Sequence, residues 1–149
     1  MRGRATLPML AELVKLRALQ YQSAVAQAAE AAAVLQAKED VLEDRIGSRA
    51  AAEDGWLALT TAPSLDVERL RWWSTEIARC NHAVGRATVD VARATTEVAR
   101  CGQDMHRASQ RRDLMERLFR RVRAAKTARR EEDALQDNLD GLAYRRSAL

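Results

Sequence analysis

The chain has 149 residues, of which 4% are aromatic and two are proline, with Ala, Arg, Glu and Leu dominant; that is the make-up of long helices and argues against a strand-rich fold. The net charge of +4 hides an asymmetry, since residues 1–106 carry 13 Lys/Arg against 14 Asp/Glu, a net −1, and residues 107–149 carry 12 against 7, a net +5. No run approaches the ~20 apolar residues of a membrane span, and MRGRATLPML lacks the apolar segment of a signal peptide, so a cytoplasmic location is expected.

The first predicted element is a helix over about residues 8–58. Ala11, Val14, Ala18, Tyr21, Val25, Ala28, Ala32, Leu35, Glu39, Leu42, Ile46 and Arg49 alternate at steps of three and four. That averages about 3.5 residues, the period that keeps one seam facing another helix. Glu39 and Arg49 interrupt the stripe.

A break follows in DGWLALTTAPSLD, with the turn at about residues 59–64. Pro63 disfavours helical geometry at Ala62, and Ser64 is the expected N-cap of the next helix. Asp66 and Glu68 suit the positive end of its dipole. A brief helical turn over Trp56–Leu59 is expected before the reversal.

The second helix is predicted over about residues 65–144. Its stripe is Leu70, Trp73, Ile77, Cys80, Val84, Ala87, Val91, Ala94, Val98, Cys101, Met105 and Ala108. Two stripes of one period joined by a short break predict an all-α fold, a two-helix antiparallel coiled-coil hairpin in one domain over 1–149. Pairing about residue 62 sets Pro8 opposite Glu116, giving helices of roughly 75 and 120 Å and an overhang of about 28 residues. In that overhang Met115, Leu118, Phe119 and Val122 continue an apolar face, ARREEDALQD interrupts it, and Leu135, Leu139 and Leu142 resume. A monomeric hairpin is expected, with a domain-swapped dimer as the alternative use of the same stripes.

Within the long helix, Gly85, Gly102 and Gly141 are read as local helical weakness. Cys80 and Cys101, 21 residues apart, would lie roughly 31 Å apart on one helix, far beyond the approximately 7 Å limit for a disulfide. His82 and His106 lack the spacing of zinc ligands, and neither a phosphate loop nor a nucleophile elbow is present. The expectation is no enzyme, no metal and no cofactor.

Two features point to partners. From Arg107 to Arg130 the chain holds ten Lys/Arg against Asp113 and Glu116, a net +8. Such density suits a solvated face, nucleic acid, an anionic membrane or an acidic protein surface. Nucleic acid would call for aromatics among the arginines, and Phe119, the sole aromatic there, falls with the apolar positions. The second feature is apolar mass near the turn. Trp73 is on the stripe, Trp72 points about 100° away, and Trp56, Leu57 and Leu59 crowd the neighbouring turn. They either close the end of the coiled coil or anchor a partner.

The opening LPMLAELVKLRALQYQSAVAQAA, with its leucine-rich approach to Leu16-Arg17, and the end RRVRAAKTARREEDALQDNLDGLAYRR, where Leu139-Asp140 precedes Ala143 and Arg145, carry a resemblance. With its length and hairpin plan, the chain resembles the FliJ family of flagellar export components and its virulence-secretion counterpart, SctO. It departs from the family in having Gly141 after the Leu-Asp pair. The resemblance implies a non-enzymatic cytoplasmic stalk beside a membrane-embedded type III export machine, flagellar or virulence-associated. It implies a hexameric export ATPase, the export-gate cytoplasmic domain and some export chaperones as partners, with no specific nucleic acid. On that reading Arg117, Arg120, Arg121, Arg123, Arg129 and Arg130 meet the ATPase, and Trp72, Trp73 and Ile77 meet the gate. The alternatives are a self-associating structural coiled coil, or a basic hairpin binding nucleic acid or a membrane surface.

Overall fold

The computed structural model describes residues 6–147, with side chains up to Asp140. Two long helices, α1 (Leu7–Thr60) and α2 (Val67–Ser147), pack against each other as a hairpin, and no strand occurs among the described residues. The surroundings of Gly141 and the side chains of Leu142, Ala143 and Arg145 lie outside those described.

The ends of the helices at the turn are satisfied locally. Thr60 and Thr61 donate their hydroxyls to the Leu57 carbonyl at 2.7 and 3.2 Å, and Thr61 also reaches the Ala58 carbonyl. These bonds fill acceptors that the last helical turn leaves open. Trp56–Leu59 is therefore part of the final turn of α1 rather than a separate element. The N-cap of α2 is Asp66, not Ser64: its Oδ1 accepts from the amides of Glu68 and Arg69, both at 3.2 Å. Because the helix begins at Val67, Asp66 stands at the capping position and Ser64 is two residues too early.

The chain divides into two compact units, Met1–Ser23 with His106–Leu149, and Ala24–Met105. In the second unit α2 buries Cys80, Ala87, Ala94 and Cys101, four small residues each seven apart, and α1 buries Ala52. Trp73 heads the same row, seven residues before Cys80, and Leu70, Ile77, Val84, Val91, Val98 and Met105 fill the alternate positions, all half-buried. Small residues at every second seam position let the two backbones approach closely, because interaxial distance follows the side chains at the contact.

From Val25 onward the α1 stripe differs from the sequence expectation at alternate positions. Ala28, Leu35, Leu42 and Arg49 face inward as expected, whereas Val25, Ala32, Glu39 and Ile46 are exposed. The seam passes instead through Ala24, Ala31 and Ala52. Bulk misleads here: against the small heptad positions of α2 an alanine fits the narrow space, and the larger Val25 and Ile46 turn away. Glu39 then interrupts nothing. Its neighbour Lys38 lies at the flank, with Nζ 4.0 Å from an oxygen of Asp90.

In the other unit Leu10 is buried, and Ala11, Val14, Arg17, Ala18 and Tyr21 are half-buried. The Arg112 guanidinium stands 4.3 Å from the centre of the Tyr21 ring and also pairs with Asp113 at 2.8 Å. Met115 and Phe119 face inward, but Leu118 and Val122 are exposed, so the apolar face expected over 115–122 splits in two. Leu7, Pro8 and Ala11 line an open hollow with Phe119, Arg123 and Lys126. From Arg120 to Asp140 every residue of α2 is exposed.

Candidate partner-binding surfaces

The arginine-rich surface is built by a helix that outruns its cover. Arg117 donates from Nε to the carbonyl of Asp113 at 3.2 Å, and Arg120 lies 3.4 Å from a carboxylate oxygen of Glu116. Beyond them, among the described residues, no carboxylate pairs with Arg121, Arg123, Lys126, Arg129 or Arg130. Five cations thus project from about three turns of helix into solvent. Multiple exposed cations of this kind favour fast, salt-sensitive capture of an acidic surface over a single tight lock.

The six arginines named from the sequence share this segment but not one face. At about 100° per residue, Arg117 and Arg121 lie on one side, Arg123 and Arg130 on another, with Arg120 between them and Arg129 apart. The segment therefore presents charge nearly all round, which suits a partner that encloses it.

At the turn, the structure separates the three gate candidates. Trp72 is 59% exposed, whereas Trp73 and Ile77 are half-buried. The two indoles meet edge to face, with centroids 4.6 Å apart and planes at 79°, the arrangement that aromatic quadrupoles favour. Trp73 lies directly over Gly55: a Cβ built there would stand 2.6 to 2.8 Å from three carbons of its ring. Gly55 is thus the floor on which Trp73 rests. Trp72, like Trp56, Leu57, Leu65 and Val67, is exposed.

A third surface escaped the sequence reading. Met9, Leu13, Leu16 and Leu19 are all exposed on α1, as a stripe flanking the inward Leu10, Val14 and Arg17. Their steps of four, three and three form a second helical stripe. The signal was present, but the stronger 3.5-residue pattern claimed the same segment.

The shifted titrations belong to ion pairs on helix surfaces. Arg79, Arg100 and Arg112 are each held above the ordinary guanidinium range, chiefly by hydrogen bonds to Glu76, Glu97 and Asp113 respectively. Glu97 is lowered by its bond to Arg100. Among the described residues no three His, Cys, Asp or Glu side chains gather as a metal site requires, and no helix is long and apolar enough to cross a membrane. Compared with known proteins, the chain matches no family model, no curated protein and no solved structure.

Proposed function

We propose that the chain is a non-enzymatic cytoplasmic stalk or adaptor of a type III protein export apparatus, as its resemblance to the FliJ and SctO families suggests. The observation that carries the reading is the segment from Arg120 to Asp140, exposed at every residue, in whose basic first half no cation after Arg120 has a carboxylate partner among the described residues. The charge would engage an acidic interior of the hexameric export ATPase through many weak contacts. Trp72, exposed beside the packed Trp73, is the anchor for the export-gate cytoplasmic domain.

Nucleic acid is the weaker reading. A stacking platform needs an accessible aromatic among the cations, and Phe119 is half-buried beside Leu7 and Pro8. The test is co-elution with the export ATPase of the same organism. The native chain should form a complex; a variant carrying Arg121→Glu, Arg123→Glu, Arg129→Glu and Arg130→Glu should lose it while keeping its helical circular dichroism. Equal complex formation by both would remove the arginine surface from the contact.

A further inference from the structure

We propose that the uncovered end of α2 pairs with the same segment of a second copy, antiparallel, about a two-fold axis near residue 130. This does not rest on the export reading. Over residues 120–130 the helix carries six cations and no anion, and over 131–140 five anions and no cation. Reading one copy against another in the opposite direction sets each basic half beside an acidic half, whereas a parallel pair would stack like on like.

The apolar residues follow the same symmetry. Leu118 and Val122 precede the charge boundary, Leu135 and Leu139 follow it, and all four are exposed, the last two at 63% and 62%. An antiparallel pair brings Leu118 level with Leu139, and Val122 level with Leu135, to within one turn. Ala125 and Ala128 leave the centre narrow. The surface is thus self-complementary in charge and in apolar position, as an isologous contact requires.

Helical economy supports the same conclusion. An isolated helix gains its stability mainly from packing, and this one buries no residue, even by half, over the 21 described residues from Arg120 to Asp140. Three heptads of pairing with a modest apolar seam make a reversible dimer rather than an obligate one. Self-pairing through this face also covers Arg121 and Arg129, so a second copy and an acidic partner compete for one segment.

The experiment is sedimentation velocity on the full chain across a concentration series, at low and at high salt. The expected result is a monomer–dimer equilibrium whose dissociation constant rises at least about tenfold with salt. Leu135→Asp with Leu139→Asp should leave only monomer. Arg129→Glu with Arg130→Glu, and separately Glu131→Lys with Glu132→Lys, should each weaken the dimer, and mixing the two variants should restore it. Circular dichroism confirms that the hairpin persists in each. A monomer at every concentration, a dimer indifferent to salt, or one that survives the Leu135 and Leu139 substitutions would overturn the proposal. ATPase binding is not read in this assay, so either idea can fail without the other.

Discussion

Trp72 and Trp73 are chain neighbours with different surroundings, and each makes its own prediction. Trp73 rests on the backbone of Gly55, so Gly55→Ala forces the indole to move and should cost about 1–3 kcal/mol in chemical denaturation, despite the helix propensity it gains. Gly85 and Gly102 have open space where a Cβ would stand; Gly85→Ala and Gly102→Ala should instead each stabilise by up to about 1 kcal/mol. Trp72→Ala should cost no more than about 1.5 kcal/mol, the worth of its edge-to-face contact with Trp73, while, on the proposed export reading, impairing gate binding. A large loss of stability would return Trp72 to a packing role. The cap shows the limit of sequence reading at this scale. Ser64 and Asp66 are both good capping residues after Pro63, and only the start of α2 at Val67 decides that Asp66 takes the part. Asp66→Ala should accordingly cost about 1 kcal/mol, and Ser64→Ala almost nothing.

Along each element, the seam sets what the helices tolerate. The buried Cys80, Ala87, Ala94 and Cys101 recur at seven residues and keep the backbones close, so Ala94→Leu should destabilise by about 1–3 kcal/mol through overpacking. Thermal melting compared with the exposed substitution Val89→Ala checks this. The α2 stripe was fully legible, because large apolar residues alternate with the small ones and nothing nearby competes. The α1 stripe was legible from Ala11 to Tyr21 and, from Val25 onward, only at every second position: alanines flank the seam on both sides there, and periodicity cannot choose between Ala24 and Val25 when the deciding factor is the room left by α2. The uncovered segment gives a further prediction. Backbone amides over residues 120–140 should exchange with solvent far faster than those over 80–101, and an added partner should slow them. Uniform protection along α2 would show that the segment is already covered.

For the whole molecule, the fold was readable because two stripes of one period and a single proline-containing break leave few arrangements other than a hairpin. The partner was not readable in the same way. Charge density specifies an acidic surface without naming it, and coiled-coil composition is shared by many unrelated chains. What the structure adds is where the charge stands, on a helix end exposed at every residue from Arg120 to Asp140. The most direct measurement is to titrate the purified chain into the export ATPase of the same organism while following hydrolysis. The account predicts a saturable rise in rate that declines with salt and disappears in the variant reversed at Arg121, Arg123, Arg129 and Arg130. An active ATPase whose rate stays constant throughout, with no complex formed, would contradict it.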